Sequence, residues 1–454
     1  MKNILPLLFV ITLLSCQNET DSSYVIFKGQ LLNNTANTLK ISGNNFEKEV
    51  FITTNGVFSD TLFVQNNGYY SLRIGRESTP IYLMKGTSLN LTTDIEQFDE
   101  KLNYSGEIAP ENNYLAAKYL LSESEMTFDK VYALPQKKFI AETNKLNDSY
   151  SNLLNSSPGI SKEFKSKELK ELEYAHINNI ENYESYHQYL TKDPTFKADE
   201  TLYKDYKKFN FNDTEAFKTS NAYKRLLESH YQRIAQNEST LHAKDLTLVY
   251  LETIDTSFPD GPVKDELMFN YLRYGMKANA ALEEVYKRYQ SSNQNSENLS
   301  KVTSSYKVLS NLTPGKASPI FTYENYKGGE TSLQDLAGKI IYIDVWATWC
   351  GPCLREIPAL KNLEKDYHDK NIAFVSLSID EEKDYQKWRS MIADRALSGI
   401  QLMADNNWKS SFVTSYGIRG IPRFILIDTA GNIINSDAPR PSNPEIRTIL
   451  NNLL

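Results

Sequence analysis

The chain has 454 residues, a formal net charge of −7 and 40% hydrophobic residues. That length accommodates two or three domains, and the apolar content suffices for packed cores, which excludes a disordered chain. Mild acidity without a dense basic run excludes the charge signature of nucleic-acid binding, and most of the 29 tyrosines are expected to be helix-packing residues.

The first element in chain order is a targeting segment. Lys2 supplies a short positive region, and Ile4 to Leu14 is apolar apart from Pro6 and Thr12. The stretch is too short for a bilayer, which needs about 20 residues, and reads as an export signal over 1–15. It ends in Leu13-Leu14-Ser15-Cys16, followed by the polar run Gln17 to Ser23. This pattern resembles the lipobox of bacterial lipoproteins, which implies Cys16 as the lipid-bearing N-terminus and 16–23 as a lipidated tether. The mature chain then has two thiols, both in one motif, as suits an oxidising compartment.

Residues 24–107 show short β-rich runs, among them Tyr24-Val25-Ile26-Phe27, Leu39-Lys40-Ile41 and Tyr69 to Ile74, separated by Asn- and Gly-containing turns. They predict an all-β sandwich. Residues 108–312 turn polar, with apolar and aromatic residues at helical spacing, such as Tyr114, Ala117 and Leu121, or Leu267, Tyr271 and Tyr274. They predict a helical domain, an interaction or spacer region. His176 and His187 could share a helix face there, but without visible carboxylate partners they read as surface or core histidines rather than metal ligands.

Residues 313–454 predict an α/β domain. Lys339 to Val345 is β-branched and apolar, a buried strand. Trp349-Cys350-Gly351-Pro352-Cys353 follows, and apolar residues at helical spacing continue to about Tyr367. A cysteine at a strand-to-helix turn faces unpaired backbone N–H groups and the positive end of the helix dipole, which favour thiolate. Zinc would need further ligands, and only His368 is near in sequence. Haem attachment would need a histidine where Leu354 stands. A structural disulfide would close too small a ring to stabilise much. The motif context favours a redox pair over these.

Asp344-Val345-Trp346-Ala347-Thr348-Trp349-Cys350-Gly351-Pro352-Cys353 resembles the active-site segment of thioredoxins, and Tyr416-Gly417-Ile418-Arg419-Gly420-Ile421-Pro422 resembles their cis-proline segment. The nearest branch is the membrane-anchored, TlpA-like envelope proteins of bacteria, and 24–107 resembles the β-domain attached to such lipoproteins in Bacteroidota. The resemblance implies that Cys350 attacks and Cys353, deeper in the helix, resolves. It implies a cis bond before Pro422, with the Ile421 backbone left to pair with an extended substrate. Asp344, mid-strand, is expected to have a raised pKa and to take the proton of Cys353. Trp349 is expected to shield the sulfur, and Gly351-Pro352 to tune the exchange. Two departures stand out. Ser376 occupies the place of a common lysine facing Asp344, and Arg423 follows the cis-proline where threonine is common, adding charge at the substrate groove.

The function expected is a thiol-disulfide oxidoreductase, lipid-anchored in the cell envelope and facing the periplasm. It would need no cofactor beyond the Cys350–Cys353 disulfide and no metal. Its expected partners are exported proteins bearing disulfides, a membrane electron donor and the membrane itself, not nucleic acid. A thiol peroxidase and a non-enzymatic, partner-binding lipoprotein are the alternatives.

Overall fold

A computed structural model describes residues 23–43, 46–125 and 127–454. The signal segment 1–15, Cys16 and the tether up to residue 22 lie outside the described residues. Eight strands come first: β1 (Val25–Leu32), β2 (Thr38–Gly43), β3 (Phe46–Phe51), β4 (Val57–Leu62), β5 (Gly68–Ile74), β6 (Glu77–Leu83), β7 (Ser88–Asp94) and β8 (Asn103–Gly106). They form two four-stranded sheets, ordered β4-β1-β7-β8 and β3-β2-β5-β6. Alternate side chains turn inward, as Tyr70, Leu72 and Ile74 do on β5. Phe27 and Leu91 from one sheet and Ile41, Leu72 and Ile81 from the other share a single hydrophobic core. Strands β1 and β7 pair in parallel, Ile26 with Ser88 through Leu32 with Asp94. A sequence of runs and turns does not reveal that crossover.

The helical stretch expected over 108–312 does not form one body. The chain divides into two compact units at Arg233 and Ile234, inside the helix Asn221–His242. In the first unit, Glu168 of the helix Lys162–Thr191 is fully buried. It accepts from the Tyr69 hydroxyl at 2.6 Å, the Tyr114 hydroxyl at 3.0 Å and Lys118 Nζ at 2.5 Å. One carboxylate thus ties β5 to two helices. His187 lies on the same helix, its Nδ1 2.8 Å from the Tyr132 carbonyl and its ring against Phe196.

In the second unit, the helices Leu246–Ser257, Pro262–Gly275, Leu282–Ser292 and Ser296–Ser310 precede the sheet. Leu267 is fully buried and Tyr271 stacks on Tyr250 at 3.9 Å. Tyr274, expected on the same apolar face, is 78% exposed, because it lies at the helix end beyond that stack. The strands are β9 (Thr322–Asn325), β10 (Glu330–Ser332), β11 (Ile340–Trp346), β12 (Ile372–Ser378), β13 (Ile400–Met403), β14 (Arg423–Ile427) and β15 (Ile433–Asn435). They form one seven-stranded sheet, ordered β10-β9-β13-β12-β11-β14-β15. Every residue of β11 is buried, as an inner strand covered on both faces requires. It runs parallel to β12 and antiparallel to β14. Val308 and Leu309 of the last preceding helix pack against the sheet core, so that helix belongs with the sheet rather than with a separate helical domain.

Removing a buried carboxylate leaves its donors unpaired and one cation without its partner. Glu168→Ala is therefore expected to destabilise the first unit by about 3 kcal/mol. The midpoint of its denaturant unfolding transition, read against the wild-type chain, checks this; an unchanged midpoint would refute the hub.

Candidate active site

The dithiol is set by how β11 ends. The backbone leaves the sheet at Trp346, whose carbonyl accepts from the N–H of Ile379 at 2.9 Å. The loop that follows is pinned by Asp380, a buried side chain just past β12. Its carboxylate accepts from the Thr348 backbone N–H at 2.9 Å, the Thr348 hydroxyl at 2.8 Å and the Ser378 hydroxyl at 2.7 Å. Cys350 then caps the helix Gly351–Asp366, and its Sγ accepts from the Cys353 backbone N–H at 3.1 Å. Gly351 and Pro352 occupy the first two helical positions, where the missing proline N–H forfeits no intrahelical bond.

Cys350 and Cys353 are joined by a disulfide, their Cα atoms 5.3 Å apart. The expectation that Cys350 is exposed and Cys353 the more buried is not met, since both are 4% exposed. Packing around the oxidised pair covers both residues alike. What separates them is the N–H received by Cys350 at the helix N-terminus, which stabilises a thiolate there. Trp349 is 50% exposed and lies near Trp408, ring centroids 6.3 Å apart, so it is a surface ring beside the disulfide rather than core.

Asp344 sits on β11, paired in register with Ser376 on β12 and Phe424 on β14. A small cavity beside it is bordered by Ile357, Leu360 and Glu364 of the active-site helix. Cys353 lies on that same helix face, one turn before Ile357. Asp344 is buried, and its Oδ1 has no hydrogen-bond partner among the described residues. Burial first, then the nearby carboxylates of Glu356 and Glu364, together raise its pKa to about 8. Glu364 is itself raised by burial, although the Ser398 hydroxyl donates to it. Glu356 accepts from the backbone N–H and hydroxyl of Ser442, at 3.0 and 2.9 Å. No cation faces Asp344 from the Ser376 position.

The peptide bond between Ile421 and Pro422 is cis. Arg423, the next residue, pairs with Val345 near the end of β11, so the proline stands at the dithiol end of the sheet. Ile421 packs against the hydrophobic cluster that contains both cysteines. Arg423 does not project a free charge into the groove as expected. Its guanidinium is 3.1 Å from Asp437 and reaches the Ser436 carbonyl, which neutralises it in place.

Asp380, Glu356 and Glu364 were not among the residues legible in the sequence. An isolated carboxylate carries no motif, and each acts through partners distant in the chain. No cluster of three or more His, Cys, Asp or Glu side chains suited to a metal occurs among the described residues.

Residues 313–453 match the family model described as Redoxin. The thioredoxin-like protein YneN of Bacillus subtilis is 30% identical over 122 residues, 27% of this chain and 69% of that protein. The thiol-disulfide oxidoreductase ResA of Bacillus thuringiensis is 29% identical over 120 residues, 26% of this chain and 66% of its own length. The chain thus spans about two thirds of the length of these curated relatives. Among solved structures, a thiol-disulfide oxidoreductase from Bacteroides fragilis is 27% identical, with a TM-score of 0.28, covering 31% of this chain and 100% of that one.

The folded-state pKa of Asp344, about 8, lies above its ordinary 3.8, so the native state holds a proton that the unfolded chain releases between those values. The stability contributed is fully present below about pH 4 and is lost as pH rises through about 8, at up to about 1.4 kcal/mol per pH unit. Asp344→Asn is expected to flatten the fall of the second unit's stability between pH 5 and 8. Denaturant midpoints across that range check this; parallel profiles for the two proteins would show that Asp344 is not the group responsible.

Proposed function

Through residues 313–453 this chain belongs to the thioredoxin-like oxidoreductases, and from that premise we propose that it is a thiol-disulfide reductase of the cell envelope working through Cys350 and Cys353. The observation that carries the reading is the placement of Cys350 Sγ at a helix N-terminus, receiving the Cys353 N–H, with a buried carboxyl under the same helix face.

In the reduced protein, the Cys350 thiolate attacks one sulfur of a substrate disulfide. That disulfide breaks, a Cys350–substrate disulfide forms, and the second substrate sulfur leaves as a thiolate that takes a proton. Asp344 in its ionised form removes the proton from Cys353. The Cys353 thiolate then attacks Cys350 Sγ, closing the Cys350–Cys353 disulfide and releasing the reduced substrate. Two electrons pass from the dithiol to the substrate. A thiol donor at the membrane restores the dithiol by the reverse exchange. Ile421 offers its backbone to an extended substrate segment beside the sulfurs, and Trp349 provides an exposed ring against it.

The lipobox-like Ser15-Cys16 sequence supports anchoring through a lipid on Cys16, with the catalytic domain facing the periplasm. No described helix is long and apolar enough to cross a membrane. Exported proteins with disulfides are the substrates this location would supply. Pairing of Cys350 with a resolving cysteine one turn away favours disulfide exchange over peroxide reduction.

The reduction potential of the Cys350–Cys353 pair is expected near that of thioredoxin, about −270 mV, and a value near about −120 mV would mark an oxidant instead. Cys353→Ser should trap a substrate as a mixed disulfide on Cys350, visible on non-reducing gels, whereas Cys350→Ser should trap none and lose turnover. In cells fed a labelled fatty acid, wild type should carry the label and Cys16→Ala should not; label retained by the variant would place the lipid elsewhere.

A further inference from the structure

Beside the cis-proline segment lies a cleft of about 320 Å³ whose other wall comes from outside the sheet domain. The end of the helix Pro262–Gly275 contributes Arg273, and Lys277 follows it. The helix Ser296–Ser310 lies alongside. Facing them are Arg419, Pro422, Arg423 and Asp437. Arg423 opens the strand end nearest the dithiol and Pro422 directly precedes it, so the cleft borders the end of the sheet that carries the dithiol.

Its charge is opposite to that of the chain. Four cationic side chains line it against the one carboxylate of Asp437, in a protein of net charge −7. Asp437 is engaged, 3.1 Å from Arg423 and 3.9 Å from Lys277. Arg419 donates to the Ser305 hydroxyl at 3.0 Å, and Arg273 lies over the rings of Phe269 and Tyr274. Neither Arg273 nor Arg419 forms an ion pair among the described residues, and both are exposed. These contacts orient the guanidinium groups without neutralising them. A guanidinium held in place matches a carboxylate through two parallel hydrogen bonds, which a mobile ammonium does not do.

We propose that the helical segment 262–310 forms one wall of the substrate groove and selects polypeptides with carboxylates flanking their disulfide, through Arg273 and Arg419. This rests on the reductase reading above and adds the class of substrate. A segment lying along the cis-proline strand end would extend into the cleft and meet those two arginines. A basic segment would meet the same charges as repulsion.

The test uses the full-length chain, reduced beforehand, and two peptides with the same internal disulfide, flanked by glutamates in one and lysines in the other. Hydroxyethyl disulfide serves as a neutral substrate. At low ionic strength the wild-type kcat/KM is expected to favour the acidic peptide by about tenfold, mainly through KM, and the ratio should fall toward one in about 0.5 M salt. The double variant Arg273→Gln/Arg419→Gln should bring the low-salt ratio close to one, and the single variant Arg419→Gln should lower it partway if the double variant does not fold. A wild-type ratio near one, or one favouring the basic peptide, overturns the proposal. A preference that survives the substitutions overturns its assignment to this cleft. If wild type reduces neither peptide nor hydroxyethyl disulfide, the reductase reading itself fails, and the proposal falls with it.

Discussion

The geometry of the dithiol rests on one contact, the Cys353 backbone N–H donated to Cys350 Sγ at the start of the active-site helix. For that contact to exist, the cysteine must stand at the cap position, where the helix leaves its first N–H groups without internal partners. That fixes where β11 ends and where the helix begins. The strand is held by pairing on both sides and by burial along its whole length. The loop between them is too short to hold itself, and Asp380 supplies the missing order with three bonds from Thr348 and Ser378. Asp380 is a positioning residue, touching neither sulfur.

The same strand carries the opposing constraint. A carboxyl in the middle of a buried sheet opposes folding whenever it ionises. Elsewhere such a group is usually offset by a facing cation or by backbone donors. At Asp344 the neighbouring strand offers Ser376 rather than a cation, and its Oδ1 has no partner among the described residues. Glu356 and Glu364 raise the penalty further. The carboxyl is therefore held protonated well above its ordinary range. The surrounding apolar clusters, packed on both faces of the sheet, bear the cost.

Much of the site was legible in the sequence because its signals are local. The apolar run into Trp349-Cys350-Gly351-Pro352-Cys353 announces strand, turn and helix in order, and Asp344 stands out as a lone charge within that run. Exposure and charge state were less legible, being set by contacts between distant residues. Cys350 is as buried as Cys353 because the closed disulfide is packed over as a whole. Arg423 reads as a free cation until Asp437 is brought beside it from the far side of β15. In the first unit, the strands and turns of 24–107 give the sheets, but not the parallel pairing of β1 with β7. Along 108–312 helical periodicity is plain, while the division of those helices between two units is not. Periodicity reports which face of a helix is buried, not what buries it.

That last distinction bears on what the helices are for. Val308 and Leu309 reach the sheet core with apolar side chains, and this packing fixes the helix ends relative to the cis-proline segment within the same unit. Once fixed, Arg273 and Ser305 stand opposite Arg419. Arg423 is neutralised by Asp437, whereas Arg273 and Arg419 have no acid partner among the described residues. Charge in the groove is therefore set less by the residue that replaces threonine after the cis-proline than by which cations the surrounding fold leaves without an acid. A spacer would need only the apolar contacts, whereas Arg273 and Arg419 are oriented by other contacts and have no acid partner among the described residues.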